Sequence, residues 1–189
     1  MMVLLILLAL LLGCAFGIWT ALKAYKRVSR KSAIFNGPWS TNLASGSEKA
    51  DPYTRAAVAE TGILALRQSE TIYYHANIDD EGNWLDGNNT YRIEGRKPDA
   101  RWWSITLYGP DNFLIPNELN RYSYNMNNVE YDKNSIFTFY ISNEPRESAW
   151  LPLNNSKRFG ITLRLYNPGE SIRNNPAGVE LPHVIREGN

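Results

Sequence analysis

The first 22 positions carry no charged side chain, and the first charge along the chain is Lys23. A helix of that length rises about 33 Å, enough to cross a hydrocarbon core of about 30 Å. Residues 32–50 then mix Gly, Ser and Asn with one Pro and predict a linker. Within it, Gly37-Pro38-Trp39 is able to pin the middle to a folded unit. Asp51 suits a helix N-cap and Pro52 the first helical position. From Tyr53 to Arg67 the apolar period becomes helical, with Ala56, Ala59, Ile63 and Leu66 on one stripe. Gly62 inside that helix costs about 1 kcal/mol against Ala. Close packing on a sheet is the expected compensation.

Beyond Ser69 the period falls to two. Ile72, Tyr74, Ala76 and Ile78 share one face, with Tyr73, His75 and Asn77 on the other. Asp79-Asp80-Glu81-Gly82-Asn83 and Asp86-Gly87 predict turns. Tyr91 to Glu94 predicts a strand. Arg101 to Tyr108 sets Trp103, Ile105 and Leu107 against Trp102, Ser104, Thr106 and Tyr108. A turn over 109–112 leads to a resumed strand at Phe113-Leu114-Ile115. Ile136 to Ile141 is β-branched and aromatic. Phe159, Ile161, Leu163 and Leu165 alternate with Gly160, Thr162, Arg164 and Tyr166. The tail from Asn167 has two further prolines after Pro168 and predicts a loop laid over the surface. Short strands between turns predict a mainly β fold. The expected architecture is an antiparallel, jelly-roll-like β-sandwich with one packed N-terminal helix, preceded by a single transmembrane helix. The expected organisation is an anchor at 1–22, a basic flank and linker at 23–36, and the β domain at 37–189.

Three readings compete for the apolar segment: a cleaved signal, a lipoprotein signal and a permanent anchor. A cleaved signal wants a basic start and a short apolar middle. Here the start lacks Lys and Arg, and the run continues to Leu22. Leu11-Leu12-Gly13-Cys14 resembles a lipoprotein cleavage box, but Ala15 to Leu22 stays apolar. Length and flanks favour the uncleaved anchor, with residues 1–22 in the lipid bilayer. Lys23, Lys26, Arg27, Arg30 and Lys31 follow, with no acid before Glu48. Such a flank suits an interfacial stop signal touching anionic headgroups. The positive-inside rule alone would hold it in the cytoplasm, although long domains translocate despite such flanks.

Setting those five bases aside leaves 15 Lys and Arg against 19 acids. That is the wrong sign for a phosphate-binding surface, so no nucleic-acid partner is expected. About 155 residues remain after the anchor and flank, the size of one ordinary domain. The only cysteine, Cys14, lies inside the apolar run. The domain therefore has no disulfide, cysteine nucleophile or thiolate metal site. With only His75 and His183 available, a three-histidine metal centre is excluded. No metal and no cofactor is expected.

The acidic turn 79–83 fails the spacing of an EF-hand loop and predicts a solvated hairpin turn. No Gly-x-Ser-x-Gly elbow and no Gly-rich phosphate loop occurs. His75 on a polar strand face is a candidate proton shuttle or an ordinary polar-face residue. A polar and aromatic set stands out instead. Asn117, Arg121 and Tyr122 follow a strand in a loop, Trp150 ends another loop, and Arg164 and Tyr166 share a strand face. Rigid aromatics with a planar Arg suit sugar rings, carboxylates or other planar polar ligands. The same residue types also serve as structural cross-links.

Several segments, in order, resemble one family. They are Thr54-Arg55-Ala56-Ala57-Val58-Ala59, Gly62-Ile63-Leu64-Ala65-Leu66, Glu70-Thr71-Ile72-Tyr73-Tyr74, Arg101-Trp102-Trp103-Ser104-Ile105-Thr106-Leu107-Tyr108-Gly109 and Phe113-Leu114-Ile115-Pro116-Asn117. Arg121-Tyr122-Ser123, Trp150-Leu151-Pro152-Leu153, Leu163-Arg164-Leu165-Tyr166-Asn167-Pro168 and Leu181-Pro182 continue it. Together, over residues 37–187, they resemble the bacterial domain-of-unknown-function 1214 family. The chain is similar to the short, membrane-anchored form that lacks the 1254-type domain of larger relatives. The resemblance implies a jelly-roll-like β domain of the bacterial envelope, held in the inner membrane by one pass and facing the periplasm. It implies no established reaction and supplies no catalytic residues.

The leading expectation is an envelope domain that binds a carbohydrate-like or other polar ligand, or a protein partner. A second is an enzyme on carbohydrate-type substrates, with Asp79, Asp86 or Glu94 acting beside His75 or a Tyr. A third is a structural or assembly module that oligomerises through strand edges.

Overall fold

The chain, in a computed structural model that describes residues 1–31, 33–48, 50–60 and 65–188, begins with one long helix, α1 (Met2–Lys31). Its stretch Met2–Ala24 is long and apolar enough to cross a bilayer, and none of it is buried in the protein. The helix continues through the basic residues that follow. Lys23 Nζ lies 4.0 Å from the centroid of the Trp19 ring, so the cation folds back along the apolar rod.

Two sheets form the rest. One has six strands in the order β1 (Ile34–Asn36), β2 (Trp39–Thr41), β3 (Thr71–Ala76), β9 (Gly160–Pro168), β5 (Ala100–Tyr108) and β6 (Ser123–Asn125). The other runs β10 (His183–Arg186), β4 (Tyr91–Arg96), β7 (Ile136–Ser142) and β8 (Trp150–Pro152). The alternation of the sequence decides which faces meet. Ile72 and Tyr74, Ile161 and Leu163, and Trp103 and Ile105 point inward from the larger sheet. They meet Tyr91, Ile93, Phe137, Phe139 and Ile141 of the smaller one. Trp103 stacks on Phe137 and Tyr124 on Phe139, each pair with centroids 4.8 Å apart. The protein is thus a mainly β sandwich of jelly-roll-like form.

Several local expectations are corrected. The segment read as a linker contains the β1–β2 hairpin, turned by Gly37 at φ +58°. Trp39 is only 1% exposed, and its indole N–H donates to the Pro182 carbonyl at 2.7 Å. Burial of one indole outweighs the turn-rich composition around it. Phe113-Leu114-Ile115 forms a single bridge from Leu114 to Tyr108 and not a strand, and Phe113 is 73% exposed. The tail is more ordered than a surface loop. It forms α3 (Glu170–Asn174) and then β10, which pairs antiparallel with β4. Trp150-Leu151-Pro152 is a strand, and its pairing with β7 is parallel where every other strand pair among the described residues is antiparallel.

Helix α2 (Pro52–Glu60) begins as expected. Asp51 accepts the Tyr53 and Thr54 backbone N–H groups at 2.9 and 3.2 Å and the Thr54 hydroxyl at 2.6 Å. Its covered face, however, is Thr54, Ala57 and Val58, while Ala56 and Ala59 are exposed. Leu66 lies outside any helix, and Gly62 and Ile63 fall outside the described residues. Gly46, at φ +74°, packs so closely on this segment that a Cβ there would lie 2.0 Å from the Leu66 carbonyl oxygen. That contact ties the 42–47 turn to the chain that re-enters the sheet.

Candidate functional site

The outer face of the six-stranded sheet carries polar side chains in register. On β3, Tyr73 and His75 face outward; on β9, Thr162, Arg164 and Tyr166; on β5, Ser104, Thr106 and Tyr108. Pairing aligns Tyr73, Arg164 and Ser104 in one row and His75, Thr162 and Thr106 in the next. Tyr108 lies opposite Gly160. His75 Nδ1 is 3.0 Å from the Thr162 hydroxyl. Arg164 donates to the Thr106 hydroxyl at 3.1 Å and, with its other terminal nitrogen, to the Tyr108 hydroxyl. Its guanidinium carbon lies 5.4 Å from the Tyr108 ring centroid.

Tyr73, His75, Tyr108, Thr162, Arg164 and Tyr166 of this face line a groove of about 670 Å³. Trp84, which is 65% exposed, Pro110 and Asn112 bring loops to its rim, and Tyr73 and Tyr166 add aromatic walls. Arg158 stands at the same rim, its guanidinium 6.0 Å from the Trp84 ring centroid. At one end the groove adjoins a smaller cavity of about 160 Å³ beneath α2, lined by Thr54, Ala57, Val58 and Ala65. Tyr73 and His75 border both spaces. A Cβ on Gly160 would lie 2.7 Å from Asn77 Oδ1, so glycine keeps this part of the floor low.

The electrostatics are one-sided. Arg158 and Arg164 line the groove, and no Asp or Glu does among the described residues. Burial, then the positive charge of Arg164, pushes the His75 imidazole down to about 4, so it is neutral at physiological pH.

Of the residues singled out from sequence, His75, Arg164 and Tyr166 meet in this groove. Asn117, Arg121, Tyr122 and Trp150 gather elsewhere, around β8. Asn117 bridges the Ile115 and Arg121 carbonyls at 3.1 and 3.0 Å, and its own oxygen accepts the Arg121 backbone N–H. Arg121 donates to the Trp150 carbonyl at 3.1 Å, and the Trp150 indole donates to the Ser142 carbonyl at 3.1 Å. The Tyr122 hydroxyl reaches Asn120 Oδ1 at 3.2 Å. These side chains tie loop to strand. Sequence reasoning missed Tyr73, Tyr108, Thr162, Trp84 and Arg158 as groove residues. The period-two alternation already set Thr106 with Tyr108 and Thr162 with Arg164, but it does not say which strands become neighbours.

The carboxylates considered for acid–base work do not reach the groove. Asp79 is 1% exposed and accepts the Glu81 and Asn83 backbone N–H groups at 3.0 and 2.8 Å, capping from within a hairpin turn whose residues 80–83 are exposed. Asp86 accepts the Asn88 N–H in a turn, and Glu94 pairs with Arg92 on the other sheet. Among the described residues no group of three or more His, Cys, Asp or Glu could hold a metal ion. The groove therefore offers stacking surfaces, hydroxyls, a neutral imidazole and two guanidiniums: the chemistry of holding a ligand.

Residues 70–170 match a family described as protein of unknown function (DUF1214). The crystal structure of the VPA0106 protein from Vibrio parahaemolyticus is similar, with a TM-score of 0.59 and 27% identity over 72% of this chain. The likeness covers 36% of that protein, so the chain spans about a third of its length. A putative uncharacterized protein from Burkholderia cenocepacia matches at a TM-score of 0.44 and 14% identity, over 62% of this chain and 29% of that one. No curated protein matches the chain.

Proposed function

This chain belongs to the DUF1214 family, and on that premise we propose that it is a membrane-anchored bacterial envelope domain that binds a carbohydrate-like ligand without transforming it. One observation carries the reading: a groove of about 670 Å³ in which Tyr73, Trp84, Tyr108 and Tyr166 surround Thr162, His75 and Arg164. Aromatic faces take the apolar faces of a sugar ring, and fixed hydroxyls and a planar cation take its oxygens. Nothing acidic stands in the groove to share a proton-transfer cycle with His75 among the described residues.

The apolar stretch Met2–Ala24 supports the anchor, and we propose that the groove domain faces the periplasm from the inner membrane. Labelling Glu81→Cys with a membrane-impermeant maleimide in spheroplasts tests that side. Labelling before lysis is expected, and labelling only after lysis would overturn it.

The ligand is tested on the full chain in detergent micelles, by thermal shift against envelope sugars and glycan fragments. A ligand at 100 times its dissociation constant adds about 2.7 kcal/mol to stability. The shift should vanish in Tyr108→Ala and Tyr166→Ala. A flat screen on well-folded protein would remove the binding reading and favour an assembly module.

A further inference from the structure

The groove is walled by aromatics, and its charge is unbalanced. The ion pairs among the described residues engage Arg67, Arg92, Arg96, Arg173 and His183. Arg164 and Arg158, the two cations that line the groove, have no carboxylate partner among them. Arg164 is only part-exposed, and a cation partly withdrawn from water is ordinarily matched by an opposite charge. Here it is held by neutral oxygens. The Thr106 and Tyr108 hydroxyls take one N–H each from its two terminal nitrogens. A guanidinium has five N–H groups, so this grip fixes the plane of the fork and leaves three donors, and a charge faced by the Tyr108 ring but by no carboxylate. That is the arrangement a carboxylate or phosphate meets in a bidentate site. We infer that the groove's ligand is an anion, whose carboxylate or phosphate group is received by Arg164 while its ring lies among the groove's aromatic side chains.

The inference rests on the reading that the groove is a ligand site. Neighbouring groups agree with it. The Thr162 hydroxyl and the His75 ring lie two residues along the same strands from Arg164 and its partner Tyr73, and so on the same face. His75 stays neutral beside Arg164, so it adds hydrogen bonding to an anion without adding a charge that the empty site would have to carry. Arg158 at the rim supplies a second positive potential where a ligand enters.

The test uses the full chain in detergent micelles at fixed ionic strength, with tryptophan fluorescence as the readout, since Trp84 lines the groove. The probes are glucose, glucuronate, glucose 6-phosphate, inorganic phosphate and benzoate. Glucuronate or glucose 6-phosphate is expected to bind at least about tenfold more tightly than glucose, the worth of one charge-assisted pair. Whichever of the two wins names the group. Arg164→Gln should erase that preference, leaving charged and neutral sugars bound alike, and Arg164→Lys, which keeps the charge and loses the fork, should retain part of it. Equal affinity for glucose and both charged sugars would overturn the anion and leave the sugar-binding reading standing. Binding of phosphate or benzoate without any sugar would uphold the anion and sink the carbohydrate. Silence from all five probes on folded protein would overturn both.

Discussion

His75 and Thr162 face each other across the β3–β9 pair, with Nδ1 3.0 Å from the hydroxyl oxygen. Burial is the main reason the imidazole is held down to about 4 from its ordinary 6.5, and the charge of Arg164 adds to it. The sign of the pH dependence follows. Above pH 6.5 both folded and unfolded chains carry a neutral ring. Between 6.5 and 4 the unfolded chain takes up a proton that the folded one refuses, so stability falls as pH falls through this window. The full loss from this one group approaches about 3 kcal/mol. Urea unfolding at pH 7.5 and pH 5 should show it, and His75→Asn should be measurably less sensitive over the same interval. An equal drop in both proteins would mean that the ring titrates normally.

Tyr108→Phe separates the hydroxyl from the ring. The variant keeps the aromatic face near the Arg164 guanidinium and loses the oxygen that accepts from it. The expected cost in stability is about 1 kcal/mol, that of one hydrogen bond to a charged donor partly compensated by water. Ring stacking should survive and the orientation of Arg164 should loosen. The affinity of a neutral sugar should therefore change little, and any preference for a charged one should shrink. Isothermal titration with both kinds of sugar distinguishes this from a general collapse of the groove.

Arg121→Ala is expected to do the opposite. Arg121 donates to the Trp150 carbonyl from a loop whose backbone is clamped by Asn117. Removing it should cost about 1 kcal/mol of stability and leave groove binding unchanged. Lost ligand affinity in a variant with an undisturbed melting midpoint would show that the Asn117–Trp150 region takes part in recognition after all.

The contrast between Arg164 and Arg121 shows what was legible in the sequence. Both stood in suggestive company, Arg164 beside Tyr166 and Arg121 beside Tyr122. Period-two alternation fixed the outward face of β9, because Ile161, Leu163 and Leu165 had to be buried. It thus placed Arg164 on the outer face of the sheet together with Thr162. Arg121 sat in a loop, where no periodicity constrains direction, and its partner turned out to be a backbone carbonyl. Strand neighbours were not legible at all. That β9 lies between β3 and β5, bringing His75, Thr162 and Thr106 into one row, is set by how the two sheets close over Trp103, Phe137 and Phe139. The extent of α2 was misjudged for a related reason. Alanines at 56 and 59 satisfy a helical stripe, but the face that lies over Tyr73 and His75 presents Thr54, Ala57 and Val58.

Trp39 belongs to the Gly37-Pro38-Trp39 step expected to pin the turn-rich 32–50 segment to a folded unit, and it gives the sharpest test of whether that segment belongs to the fold. It pairs opposite Ala76 in the sheet, and its indole N–H reaches the Pro182 carbonyl at 2.7 Å. Nearby, Asn36 donates to the Val179 carbonyl at 2.7 Å. The β1–β2 hairpin thus holds the approach to β10, whose Val184 pairs with Ile93 of β4 and whose backbone N–H donates to Asp80 at 3.1 Å. Trp39→Phe would leave a buried carbonyl without its donor and open a space beside it, for an expected cost of about 2–4 kcal/mol. A residue in a passive linker would cost less than about 0.5 kcal/mol. Because the contact is made to the segment leading into β10, its loss should also be felt there. Amide hydrogen exchange at Val184 and Ile185 should accelerate more than at Phe139 in the middle of β7. Unchanged protection along β10 would mean that the C-terminal strand is held by its pairing with β4 alone.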